Sequence, residues 1–154
     1  MVDQAIEGDN TRVATTYQAL TDTVQIGSKI LIDNGALECE VTEVQENGVF
    51  VEIKNNYILG EKRPMHLPGA HLDEPILTDK DQRDLTEFAV KGGVDIIAIS
   101  LCRSAENIET VRDFLRAEPP AEKIKIIAKI ENMEGLNNYE EILAAADGIM
   151  IMRQ

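Results

Sequence analysis

The sequence predicts a mixed α/β fold, in which a small antiparallel β unit precedes parallel strands alternating with helices. Two observations carry the prediction. Asn34-Gly35 and Asn47-Gly48 each lie between β-prone runs, the pattern of a tight hairpin whose central residues take positive φ. After residue 67 three almost wholly apolar runs of strand length alternate with stretches of 3.6-residue period, as parallel strands covered by helices require. With 154 residues, 44% of them hydrophobic and 28% charged, the chain holds enough apolar mass for one domain or two small ones.

The elements follow in order. Residues 1–28 show no strong periodicity, and Gly8-Asp9-Asn10 reads as a turn. Lys29 to Asp33, Ala36 to Gln45 and Val49 to Lys54 read as three strands, with Val49, Val51 and Ile53 on a buried face. Three such strands are marginal unless they pack on something else. Thr78 is placed to cap a helix over Asp79 to Lys91, with Leu85, Phe88 and Ala89 on one face and Gly92-Gly93 ending it. Val94 to Leu101 is the first buried strand. Ser104 caps a second helix, Ala105 to Ala117, striped by Ile108, Val111 and Leu115 and broken by Pro119-Pro120. Ile124 to Ile130 is the second strand, Leu136 to Ala146 the third helix and Gly148 to Met152 the third strand. Strand starts at 94, 124 and 148 suit a (β/α) barrel and an open doubly wound sheet equally.

Charge narrows the function. The net charge of −13 repels phosphate backbones and acidic lipid surfaces. Three Phe, three Tyr and no Trp offer little for base stacking. Neither a nucleic-acid nor a membrane role is expected. The N-terminal residues lack the basic start and apolar run of a signal peptide, and Cys39 and Cys102 make no disulfide framework. A cytoplasmic protein is the expectation.

In parallel α/β folds, chemistry gathers at the C-terminal ends of the strands. Here those ends carry Ser100 and Arg103, then Lys129 and Glu131, then Arg153. Lys129 and Glu131 are two apart and so share one side of their strand. A carboxylate there suits Mg²⁺, which takes few protein oxygens and leaves positions for substrate phosphates. An adjacent ammonium stabilises a transferring phosphoryl group or an enolate oxygen. The plainer alternative is a structural ion pair. Elsewhere, His66 and His71 read as polar surface residues, Cys102 as a small buried hydrophobe, and Met150 and Met152 as packing. Asp79-x-Asp81 lacks the rest of a calcium loop, and Glu43, Glu46, Glu140 and Glu141 read as solvated faces.

The run Ile124-Lys125-Ile126-Ile127-Ala128-Lys129-Ile130-Glu131-Asn132-Met133-Glu134-Gly135-Leu136 resembles the active-site signature of pyruvate kinases. Ile32-Asp33-Asn34-Gly35 resembles the family's Asp-Asp-Gly turn, and Lys62-Arg63-Pro64-Met65-His66-Leu67-Pro68-Gly69 its return from the small β domain to the barrel. Ser100-Leu101-Cys102-Arg103-Ser104-Ala105 resembles Ser-Phe-Ile-Arg-Ser-Ala, and Asp147-Gly148-Ile149-Met150 the run before Ala-Arg-Gly-Asp. The resemblance implies a partial (β/α)8 TIM barrel with part of an inserted small antiparallel β-barrel domain. Residues 1–66 would be the partial β domain and 67–154 the partial barrel. It implies phosphoryl transfer from phosphoenolpyruvate to ADP, giving pyruvate and ATP in glycolysis. Lys129 would be the catalytic and substrate-binding lysine, Glu131 a Mg²⁺ ligand and Arg63 a nucleotide contact. K⁺ and a homo-tetramer are implied as well, the family's K⁺ ligands having no counterpart in this chain.

Departures fall at functional places. Pro64 replaces a glycine, His66 an asparagine, Leu101 a phenylalanine, and Gln154 the glycine whose backbone nears the substrate. The expectation is therefore the middle of a pyruvate kinase, inactive as 154 residues alone, with edge strands that favour association. Two alternatives stand beside it: another phosphoenolpyruvate- or pyruvate-binding barrel enzyme, and a truncated paralogue that acts by binding.

Overall fold

A computed structural model describes residues 6–152, which divide into two compact units, one within residues 1–73 and the other within 74–154. The first unit opens on a turn in which the Asp9 carboxylate accepts the Thr11 and Arg12 backbone N–H groups, at 2.7 and 3.1 Å. A four-residue helix, α1 (Leu20–Thr23), follows in a stretch without sequence periodicity. Tyr17, Leu20 and Val24 bring it into the core beside Ile30, Leu37, Cys39 and Val41.

Strands β1 (Lys29–Ile32), β2 (Leu37–Gln45), β3 (Gly48–Ile53) and β4 (Met65–His66) form an antiparallel sheet in the order β3-β2-β1-β4. The first hairpin takes the expected form: Asn34 and Gly35 have φ of 58° and 86°, and the Ala36 N–H reaches the Asp33 carbonyl at 3.1 Å. The second differs. Gln45 pairs with Gly48, so Glu46 and Asn47 are the central residues, and none of the three residues Glu46, Asn47 and Gly48 has positive φ. A β-bulge between Val41 and Glu43 adds twist to the same ladder. The expected buried face of β3 is open instead: Val51 and Ile53 are exposed, as is Phe50 on the other face; β3 is an outer strand paired with β2.

In the second unit, Thr78 caps α2 (Asp79–Asp84) with a complete capping box, exchanging hydrogen bonds with Asp81. The helix widens into π-helical turns over Leu85–Val90, so the single regular helix expected to Lys91 is corrected. The extra residue per turn carries Phe88 off the Leu85–Ala89 face, and it is exposed while Ala89 is buried. Strand β5 is Ile96–Ile99, shorter at both ends than expected; at its C-terminal side Leu101 adopts a left-handed conformation with φ 53° that ends the extended run. Then come α3 (Ala105–Arg116), a 3₁₀ turn at Ala121–Lys123 and β6 (Lys125–Ile130). The expected third helix is two: α4 (Met133–Asn137), capped by Asn132, and α5 (Tyr139–Ala145), separated by Asn138. Last is β7 (Gly148–Ile151).

The three strands pair in parallel in the order β5-β6-β7, and among the described residues neither sheet closes on itself. Ile126, Ala128 and Ile130 of β6 are buried in one cluster with Ile108, Val111 and Leu115 of α3 and Ile142 of α5. Both crossover helices thus cover one face of the sheet. The opposite face, carrying Ile127 and Lys129, is half-buried, so the expectation of strands covered on both faces is corrected for these residues. At the foot of the sheet the Asp147 carboxylate accepts the Ile126 N–H at 3.0 Å and the Lys125 ammonium at 2.9 Å, with Arg112 at 3.4 Å. These contacts, led by the backbone N–H and then Lys125, hold its pKa down to about 2.

Candidate active site

The site is built at the opposite end of β6. Strand alternation puts Lys129 and Glu131 on the half-buried face, and their side chains meet, Nζ to Oε1 at 3.0 Å. They are 19% and 15% exposed, so a charge there is shielded from bulk water yet reachable. Ser100, just past the end of β5, accepts a hydrogen bond from Lys129 Nζ at 2.7 Å through its Oγ. Parallel pairing of β5 with β6 brings the residues together, since Ile99 lies opposite Ala128.

The second oxygen of Glu131 is held by the backbone. The Leu101 N–H donates to Oε2 at 2.6 Å, and the left-handed conformation of Leu101 turns that N–H toward the carboxylate. Lys129 therefore spends two of its three N–H donors on Ser100 and Glu131, which leaves one for a substrate oxygen. Each Glu131 oxygen keeps a lone pair beyond its hydrogen bond. Among the described residues, no three His, Cys, Asp or Glu side chains cluster, so a metal here would rest on Glu131 and on ligands other than clustered side chains.

Other candidates lie elsewhere. Arg103 follows the same turn and binds the Glu74 carbonyl. Arg63 belongs to the first unit, where its guanidinium is 3.7 Å from Asp33. Tyr57 donates its hydroxyl to the same Asp33 carboxylate, and this hydrogen bond, followed by burial, raises the Tyr57 pKa above the usual phenol range. Arg153 and Gln154 lie outside the described residues. Cys102 is fully buried, as a small hydrophobe would be, and burial pushes its thiol pKa up. Glu141 is exposed, as expected of a solvated face, and accepts the Ala105 N–H at 3.1 Å. Sequence reasoning missed Tyr57, Asn138 and the part played by the Leu101 backbone N–H. Asn138 left a signal, Asn137-Asn138, because asparagine competes with a helix interior.

An ammonium and a carboxylate set side by side at the C-terminal end of a parallel strand are placed where α/β enzymes carry their chemistry. The family described as "Pyruvate kinase, barrel domain" matches residues 1–154. Pyruvate kinase from Eimeria tenella is 39% identical over 153 residues, spanning 99% of this chain and 28% of that protein. Pyruvate kinase from Dictyostelium discoideum is 40% identical over 148 residues, 95% of this chain and 29% of the relative. The solved structure of Cryptosporidium parvum pyruvate kinase in complex with ADP superposes with a TM-score of 0.91 at 34% identity, covering 97% of this chain and 31% of that one. The chain belongs to the pyruvate kinase family, a family of transferases. It spans less than a third of the length of these relatives.

Proposed function

We propose that this chain carries the centre of a pyruvate kinase active site, moving a phosphoryl group from phosphoenolpyruvate to ADP in glycolysis. The Lys129–Glu131 pair at 3.0 Å, with Ser100 behind the ammonium, carries the reading. Transfer breaks the bond between the phosphorus and the enol oxygen and forms one to a terminal ADP oxygen; the enolate left behind takes a proton and becomes pyruvate. Lys129 directs its remaining N–H at the oxygens on which negative charge grows, where a fixed cation is most effective. Ser100 and Glu131 keep the ammonium from swinging away.

Glu131 fits as one protein ligand of Mg²⁺, which tolerates few carboxylates and takes the rest of its shell from substrate and water. Mg²⁺, when bound, supplies charge neutralisation at the phosphoryl oxygens. K⁺ belongs to the reading with no described residue assigned to it. Arg63 is the proposed nucleotide contact, its guanidinium shared between Asp33 and an ADP phosphate.

The fold reading goes with it. Two crossover helices on one face of a parallel sheet support a partial (β/α)8 barrel over 67–154, and the antiparallel sheet supports a partial inserted β domain over 1–66. A cytoplasmic homo-tetramer without nucleic-acid or membrane partners completes the proposal. The net charge of −13 supports the absence of nucleic-acid and acidic-membrane partners; among the described residues no helix is long and apolar enough to cross a membrane.

Lys129→Met tests the function in the protein as its cell makes it, by pyruvate formation from phosphoenolpyruvate and ADP. The expected result is a fall in kcat of roughly 10²–10³-fold with the fold retained, the scale on which losing one transition-state donor is felt. Phosphoryl transfer within a few-fold of the parent would overturn the reading and turn attention to a role in binding.

A further inference from the structure

Apart from the Arg103 guanidinium on the Glu74 carbonyl, the turn joining β5 to α3 and the first residue of α3 meet the segment from Lys129 to Glu141 at five points. Ser100 accepts from Lys129, and the Leu101 N–H donates to Glu131. The Cys102 carbonyl lies so close to Gly135 that a Cβ there would approach it to 2.5 Å. Asn138 Nδ2 donates to the Arg103 carbonyl at 2.8 Å, and Glu141 accepts the Ala105 N–H at 3.1 Å. Asn107 closes the turn on itself by accepting the Arg103 N–H at 3.0 Å.

Two features in this set are costly unless they serve the geometry. A left-handed backbone at a bulky residue such as Leu101 persists only where its surroundings over-determine it. The break between α4 and α5 at Asn138 gives up helix continuity, and it frees the Asn138 amide to reach the neighbouring turn. Both end in one result, a backbone N–H and a hydroxyl fixed against the Lys129–Glu131 pair.

We infer that Gly135, Asn138 and Glu141 are positioning residues, which clamp the Ser100–Arg103 turn so that Leu101 and Ser100 hold Lys129 and Glu131 in register. Gly135 acts by having no side chain, Asn138 by its donor and Glu141 by its acceptor. What the positioned pair does rests on the phosphoryl-transfer reading; the clamp itself does not.

The test separates the two. In the protein as its cell makes it, hydrogen exchange at the Leu101 amide and the NMR signal of the Lys129 ammonium protons are measured for Asn138→Ala, Asn138→Asp and Gly135→Ala. The Ile126 amide reports whether the sheet is intact. The clamp predicts at least tenfold faster exchange at Leu101 and loss of the Lys129 signal, with Ile126 protection kept. Asn138→Asp, which retains the shape but not the donor, should match Asn138→Ala, and Glu140→Gln on the exposed side of α5 should change neither signal.

In the kinetic arm, Asn138→Ala lowers kcat about 10- to 100-fold at unchanged KM for ADP, the scale of a small misplacement. Leu101 and Lys129 protons unmoved in both Asn138 variants would overturn the clamp, and their loss with kcat unaffected would overturn its part in catalysis. A parent protein without phosphoryl transfer would instead sink the proposed function, and the clamp would be judged on the protons alone. If Gly135→Ala unfolds, the Asn138 pair decides.

Discussion

Replacing Asp147 by Asn should destabilise the second unit at neutral pH and have almost no effect in acid. The carboxylate accepts the Ile126 N–H and pairs with Lys125 and Arg112, and its pKa falls from 3.8 to about 2. One pKa unit corresponds to about 1.36 kcal/mol, so the contacts contribute about 2.4 kcal/mol at most. Lys125 is 65% exposed and its share is screened, which brings the expectation to about 1–2 kcal/mol.

The direction with pH follows from which state binds the proton. The unfolded carboxyl protonates first as pH falls, so the stabilisation is whole above about pH 4 and disappears as pH drops toward 2. Asparagine still offers a carbonyl to the Ile126 N–H but no charge to the two cations. Urea unfolding followed by circular dichroism at pH 7, 5, 3 and 2 reads the difference between parent and variant. A difference that stays constant from pH 7 to 2, or none at pH 7, would refute the ionic account of this contact.

Two further outcomes are expected from packing and capping. Ile126→Ala empties a fully buried position in the β6 cluster and should cost about 2–5 kcal/mol in urea unfolding. Thr78→Ala removes half of a capping box and should cost about 1 kcal/mol, with faster hydrogen exchange at the Asp81 amide.

Much of the second unit was legible because its signals are local. Thr78 and Ser104 cap where a short polar side chain followed by a periodic apolar stripe places them, and Ile108, Val111 and Leu115 are buried as their spacing requires. The contact between Lys129 and Glu131 needed only the two-residue period of a strand. Features that depend on distant partners were not legible. Strand β4 exists because Met65 and His66 pair with Ile32 and Leu31, more than thirty residues back. The burial of Tyr17 depends on β1 and β2. Within the site, Leu101 reads as an ordinary strand residue; its positive φ follows from contacts to Glu131 and the neighbouring turn. The foot cluster escaped notice for the same reason, since Arg112, Lys125 and Asp147 lie far apart in the chain.

Strand β6 carries a charged cluster at each end. From Lys125 to Glu131 an extended chain covers about 20 Å at roughly 3.3 Å per residue. That is about twice the distance over which physiological salt screens exposed charge. The two clusters share no charged neighbour and are separated by an apolar stretch of sheet. Changes at Asp147 and at Lys129 should therefore combine additively. Selection or engineering is free to harden the foot of this sheet against acid or heat while the Lys129–Glu131 pair at the opposite rim is left as it is.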